Sequence, residues 1–265
     1  MGARIEALVA AYRSLGVAPG RVVLVAADFA PMLESASADR QALLGDHLRA
    51  MQGILGPGGT VVVPTATLNL CNTNIAFDPE VTPSHRMGAF AEFVRQQPGA
   101  KRSFHPFWSL SALGGDAAGL VNDVSRHPFG MNSVWSRLVE ADALSLHVGI
   151  APRLSISVTH HIELVCGVPY RYTREFMHPV RRGDHVAVEP FYHFCTYLDS
   201  DLVRDKNRRL FENFAATGLV SQVDVARGTV WSLPLAAYFR RGCDYVSRNL
   251  YAWLQREPTI RPWQR

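Results

Sequence analysis

The chain has 265 residues, with 27 basic and 23 acidic side chains for a formal net charge of +4, and 48% of its residues are hydrophobic. That apolar fraction excludes global disorder, and the length suits one α/β domain spanning 1–265 better than two. Of the basic residues only Lys101 and Lys206 are lysines, so the cationic surface is almost entirely guanidinium. Guanidinium stays charged at all working pH values and grips phosphate or carboxylate with two donors, although genome composition also produces such a bias. The arginines are too dispersed for a nucleic-acid stripe, and no apolar run approaches the 18 residues of a membrane span. Cys71, Cys166, Cys195 and Cys243 lie far apart without a C-x-x-C pair. That pattern argues against a disulfide framework or a zinc ribbon and points to a cytoplasmic protein, a monomer or homodimer.

Residues 4–15 read as an amphipathic helix stopped by Gly16, and RVVLVAA (21–27) as a strand apolar on both faces. Asp39 is a helix cap for an apolar 3.6-residue period through Leu43, Leu44, Leu48, Met51 and Leu55. GPGG (56–59) ends that helix, and TVVVPTAT (60–67) is a second buried strand. Residues 68–87 read as a long ordered loop and 87–99 as a helix. SLSALGG and DALSLHVGIA (142–151) supply further strands, and SVTHHIELVCG (157–167) a short capped helix. After residue 170, polar strands and turns precede helices near 202–217, 234–240 and 244–255. Helices alternating with apolar strands define an α/β fold.

The common nucleotide, zinc-protease and serine-hydrolase signatures are missing; Gly56–Gly59 precedes a strand and is a turn, not a dinucleotide fingerprint. Histidine is the richer signal. His160 and Glu163 stand three apart and share a helix face, so the carboxylate can fix the tautomer of the imidazole and raise its basicity. The same spacing also makes an ordinary surface ion pair. A zinc site drawn from His160, His161, His178 or His185 matches no common ligand spacing. The stretch Arg102-Ser103-Phe104-His105-Pro106 places a guanidinium, a hydroxyl and an imidazole in one turn, which suits either a functional loop or a solvated one.

Six segments in chain order resemble the aminoglycoside 3-N-acetyltransferase-like, coenzyme-A-dependent N-acyltransferases. They are LGV before RVVLV, LGPGGTVVVPTAT, FDPEVTPSHRMG with AEFVR, PGAKRSFHPFWSLSALG, HPFGMNSVWSRL (127–138) and SVTHHIEL. The resemblance covers roughly residues 5–255. It implies a mixed β-sheet sandwiched by helices, with the site in a cleft at the strand ends. It also implies acyl-CoA, such as acetyl-CoA, as co-substrate, with no metal and no membrane or nucleic-acid partner. On the matching positions His160 becomes the general base and Glu163 its orienting carboxylate. Ala27, Asp28, Phe29, Arg102, Ser103 and Phe104 become coenzyme contacts, and Asp78 and His105 acceptor contacts. The amine would attack the thioester directly while His160 takes its proton, without a covalent enzyme intermediate.

One stretch departs from the family pattern. Where the family commonly has H-S-S after its first strand, this chain has Ala26-Ala27-Asp28. An acid here resembles a subgroup that acylates nucleotide-linked amino-deoxysugars, which makes such a sugar the expected acceptor. Tyr170-Arg171-Tyr172 with Arg174, or Phe191-Tyr192-His193-Phe194, could supply guanidinium and aromatic surfaces for it, or could simply be packing. An aminoglycoside acceptor, and a noncatalytic sugar- or CoA-binding relative, are the alternatives. A metal-dependent hydrolase is a more distant one.

Overall fold

The computed structural model describes residues 3–32, 39–205 and 207–264. In chain order it runs α1 (Ala3–Ser14), β1 (Val22–Ala27), α2 (Arg40–Leu55), β2 (Thr60–Pro64), α3 (Ala89–Arg95), β3 (Lys101–Arg102) and β4 (Leu110–Gly114). It continues with α4 (Ala117–Val121), α5 (Val134–Glu140), β5 (Leu144–Val148), α6 (Pro152–Ser155) and α7 (Val158–Val165). The strands β6 (Arg171–Arg182) and β7 (His185–Thr196), then α8 (Arg208–Ala215), β8 (Ser221–Val225), β9 (Gly228–Pro234) and α9 (Leu235–Arg248), complete it.

Seven strands form one mixed sheet in the order β3-β4-β2-β1-β5-β9-β8. The central β2, β1 and β5 are parallel, and the outer strands pair antiparallel. Alternate residues of β1 serve two cores. Val23 and Val25 pack with α1, α2 and α3 on one face, while Val22 and Leu24 pack with the layer of α4, α5, α7 and α9 on the other. This double burial is why β1 reads as a continuous apolar run. Asp39 caps α2 as its position predicts, its side chain accepting from Ala42 N–H.

The chain leaves β1 for β2 on one side and reaches β5 on the other, so strand order reverses at β1. In open α/β sheets the crevice beyond the carboxyl end of such a strand is where ligands bind. Two glycines shape it. Gly88 (φ +88°) and Gly149 (φ +67°) press on the carbonyls of Ala27 and Asp28, and a Cβ on Gly88 would stand 2.6 Å from Ala27 O. Only glycine combines that φ with so close an approach.

Several boundaries differ from the sequence pattern. The ladder of β2 stops at Pro64, yet Thr65 and Thr67 still donate to the Ser109 and Phe107 carbonyls as irregular chain. The two expected C-terminal helices are one, α9. Its interior Gly242 is not a break but the point where Ile162 of α7 meets the helix, 2.5 Å from where a Cβ would stand. The helix expected from 202 begins only at Arg208, and position 206 within it lies outside the described residues. Ahead of it, Arg204 forms an antiparallel bridge with Leu254. β8 and β9 were not individually legible, because β8 is an edge strand with no buried residue.

Candidate active site

α7 is short because Gly167 (φ +65°) ends it, and its Ile162 face packs against α9. This places His160 toward solvent space and Glu163 inward. Glu163 is fully buried, and each of its oxygens meets two donors. Oε2 lies 3.0 Å from His160 Nδ1 and 2.8 Å from Arg171 Nε. Oε1 accepts from the Tyr170 hydroxyl at 3.0 Å and lies 3.1 Å from Arg204 Nη2. Burial alone would push this carboxyl upward. The hydrogen bond from His160 and the charges of Arg171 and Arg204 outweigh it and hold the group down at about 2. Glu163 is therefore an anion that can only accept. Its bond to His160 Nδ1 at 3.0 Å is shorter than the 3.2 Å contact of Arg171 Nη2 with the same atom, and with the proton on Nδ1 the lone pair of a neutral His160 lies on Nε2.

Burial lowers the pKa of His160 below the ordinary histidine value. Glu163 opposes that shift, and the Arg171 and Arg204 charges add to it. The ring is held edge-on by Trp108 and tilted against Phe129, with centroids 5.7 and 5.5 Å away. A positioned imidazole, neutral at pH 7 with Nε2 free, is what a general base requires.

His160 stands where two clefts meet. One, about 460 Å³, is walled by the β6–β7 hairpin through Arg171, Arg174, His193 and Phe194, with Trp108 and Arg204 opposite. The other, about 520 Å³, runs past Thr159 and Ser157. Through Leu154, Ser155 and Ser157 it joins a crevice of about 490 Å³ at the carboxyl end of β1, lined also by Ala27, Asp28, Phe29, Arg40 and Arg86. Ser157 precedes α7 without capping it, which leaves its hydroxyl free of the helix N–H groups.

Ala27, Asp28 and Phe29 thus line the crevice, and Asp28 Oδ1 folds the chain locally by accepting from Ala30 N–H. Arg102, Ser103 and Phe104 do not line it. Arg102 staples three segments, donating to Ser109 Oγ and to the Thr82 and Thr65 carbonyls. Ser103 Oγ accepts from Leu110 N–H, and Phe104 packs between Phe77, Phe191 and the Arg182 guanidinium. Asp78 pairs with Arg181 at 3.2 Å, away from both clefts. His105 is buried behind the site, its Nδ1 accepting from the Phe107 and Trp108 N–H groups, so it positions Trp108 and lines neither cleft. His161 faces away from His160, stacks on Phe239 and accepts from Gly130 N–H. Among the described residues no three His, Cys, Asp or Glu side chains are arranged to hold a metal ion, and no helix is long and apolar enough to cross a membrane.

Sequence reasoning missed three participants. Tyr170 gave no sign that its hydroxyl ends on Glu163. Arg204 comes from a segment read as helical. Trp108 stacks on His193 and donates its indole N–H to His193 Nδ1 at 2.6 Å. Only Trp108 carried a signal, since it lies inside the PGAKRSFHPFWSLSALG segment.

The family model for aminoglycoside 3-N-acetyltransferases matches residues 41–247, most of the chain. The chain belongs to the aminoglycoside 3-N-acetyltransferase family. A curated relative, aminoglycoside N(3)-acetyltransferase IV of Salmonella sp, is 32% identical over 164 residues, 61% of this chain and 59% of its own length. The chain therefore spans about three fifths of that relative. Among solved structures, AAC-IIIb in binary complex with CoASH superposes with a TM-score of 0.80 at 23% identity, covering 93% of this chain and 97% of its own. AAC-VIa bound to sisomicin gives 0.76 at 21% identity, with 94% and 98% covered. These likenesses show the fold, a mixed sheet between helices, which is the architecture that the sequence implied.

Proposed function

We propose that the protein transfers an acetyl group from acetyl-CoA to an amine of an amino sugar. The observation that carries the reading is the pair His160–Glu163, with the imidazole placed where the β1 crevice and the hairpin cleft meet. The crevice suits the coenzyme. Arg40 and Arg86 offer guanidinium to its phosphates, Gly88 and Gly149 leave room at the end of β1, and a passage past Ser155 and Ser157 leads toward His160. Ala26-Ala27-Asp28, which stand in place of the family's H-S-S stretch, line this crevice, with Asp28 engaged in its own turn. That one structural relative is a complex with CoASH and another is bound to sisomicin supports a coenzyme and an amino sugar as the two ligands.

The amine enters from the hairpin side. Its attack on the thioester carbonyl requires a free lone pair. The positive surroundings of Arg171 and Arg204 favour the neutral amine over ammonium, and His160 Nε2 takes the proton as the new C–N bond forms. Glu163 stabilises the resulting imidazolium without itself being protonated. The sulfur leaves as thiolate or takes that proton as CoA departs. The Ser157 hydroxyl, at the mouth of the passage, is the donor we assign to the developing oxyanion. The acceptor named for the relatives is the aminoglycoside, and they lend no support to the nucleotide-linked deoxysugar that the Ala26-Ala27-Asp28 departure suggested.

The test is free-thiol release from acetyl-CoA with wild type and His160→Ala, over a panel of amino sugars. Amine-dependent release lost in the variant supports the reading. Coenzyme binding without amine-dependent release from any acceptor would instead favour a noncatalytic relative.

A further inference from the structure

We propose that the cleft walled by the β6–β7 hairpin is an anion-binding subsite, so that the amine accepted here belongs to a molecule carrying a phosphate or carboxylate and not to a polycation. The inference rests on the acyl-transfer reading and concerns the acceptor class. The cleft lining contains Arg171, Arg174 and Arg204 and no Asp or Glu. The carboxylate behind it, Glu163, is fully buried, bonded to His160 and Tyr170 and flanked by the Arg171 and Arg204 guanidinium groups at 2.8 and 3.1 Å. It leaves no acceptor for an incoming ammonium. The other acidic residues of the hairpin and the loop after it stand outside the lining: Glu175, Asp184 and Asp199 are solvent-exposed, Glu189 pairs with Arg126 and Arg182, Asp201 pairs with Arg256, and Asp205 accepts from Arg209 N–H.

The donors are also held in fixed orientations. An indole N–H can only donate, so the bond from Trp108 makes His193 Nδ1 an acceptor and places the ring proton on Nε2. His193 is directly opposite Arg174 across the strand pair. Among the described residues Arg174 makes no ion pair, its guanidinium resting 4.9 Å above the Phe176 ring. A fixed imidazole N–H beside an uncommitted guanidinium offers donors for anionic oxygen. Three guanidinium groups against one carboxylate leave the wall positive, which repels the several ammonium groups of an aminoglycoside.

The experiment compares glucosamine, glucosamine 6-phosphate, a hexosaminuronic acid and sisomicin as acceptors with acetyl-CoA, in wild type, Arg174→Glu and Arg174→Lys. Inorganic phosphate is titrated in parallel by calorimetry. We expect KM for at least one anionic amine to lie roughly 10- to 100-fold below that of glucosamine. Arg174→Glu should remove that advantage while moving the acetyl-CoA KM by no more than about twofold, since Arg174 lies outside the β1 crevice, and Arg174→Lys should restore most of it. The two anionic acceptors distinguish phosphate from carboxylate recognition. Preferred turnover of sisomicin, improved by Arg174→Glu, would overturn the subsite and leave acyl transfer intact. Silence on every acceptor would sink the acyl-transfer reading instead. In that case phosphate binding that is lost in Arg174→Glu still supports the subsite, and no phosphate binding overturns it.

Discussion

Tyr170 and His160 end on opposite oxygens of one buried carboxylate, each 3.0 Å from Glu163, the phenol at Oε1 and the imidazole at Oε2. The tyrosine fixes the glutamate, and the glutamate fixes the base. Tyr170→Phe therefore removes a hydrogen bond to a charged acceptor, worth about 1.5–3 kcal/mol. We expect a fall in stability of that order. A kcat loss smaller than for Glu163→Gln should accompany it, because the charge remains. Denaturant midpoints and thiol-release kinetics on both variants check the ranking, and equal kcat losses would contradict it.

His160→Ala should cut kcat by about 10²- to 10⁴-fold while leaving KM for acetyl-CoA nearly unchanged, because the imidazole lies beyond the coenzyme crevice. A mutant retaining a tenth of wild-type kcat would remove His160 from the reaction.

The pH profile of kcat/KM should rise to a plateau reached at or below neutrality. Burial keeps the His160 pKa below 6.5, so the free base is lost only as pH falls beneath that value. In Glu163→Gln the raising influence of the carboxylate is gone, and the rising limb should move to still lower pH. A low-pH limb that stays in place in Glu163→Gln would contradict the assignment.

Stability should fall on acidification along a distinct window. Burial pushes both His105 and His147 down to about 3. Each is neutral in the folded protein below pH 6.5, whereas the unfolded chain takes up the proton. Folding stability from these groups is thus complete above about 6.5 and is lost as pH falls toward 3, at up to about 1.4 kcal/mol per pH unit per histidine. Glu163, held at about 2, adds a further loss below 4.5. Thermal unfolding across pH 4–8 measures this, and a Tm unchanged from pH 7 to pH 5 would refute it.

Gly88→Ala should lower stability by at least ~1 kcal/mol and weaken coenzyme binding more than acceptor binding. The new Cβ must push against the Ala27 carbonyl at a φ that alanine resists. Calorimetry with CoA separates that local effect from a general loss of fold.

β1 and β2 were legible because both faces are buried and their apolar runs are continuous, and β5 through the alternation of Leu144, Leu146 and Val148 with Ser145 and His147. α2 was legible through its cap and period. His160 and Glu163 were legible because their spacing is local, three residues on one helix. The remainder of the site is non-local. Arg171 and Arg204 reach Glu163 from the hairpin and from the segment before α8; Tyr170-Arg171-Tyr172 was legible as a guanidinium and aromatic surface, but nothing in either neighbourhood marks a partner for Glu163. The expectation for Arg102, Ser103 and Phe104 failed for the opposite reason. A guanidinium and a hydroxyl close together can serve a ligand or the backbone, and here the Thr65, Thr82 and Leu110 main chain takes them. Gly242 reads as a helix stop until Ile162 is seen lying against it.

The β6–β7 hairpin stands outside the seven-stranded sheet and reaches the base's carboxylate with a single side chain, Arg171. The coenzyme crevice owes nothing to it, being made by β1 and the turns around Gly88 and Gly149. Two recognition surfaces are thereby free to diversify independently within one lineage. Exchange of the twelve-residue strands between relatives is then expected to change what the hairpin cleft accepts while the β1 crevice stays intact, provided the contacts that fasten the hairpin are kept: Arg171 to Glu163, His193 to Trp108, and Pro179 and Arg181 to Phe77.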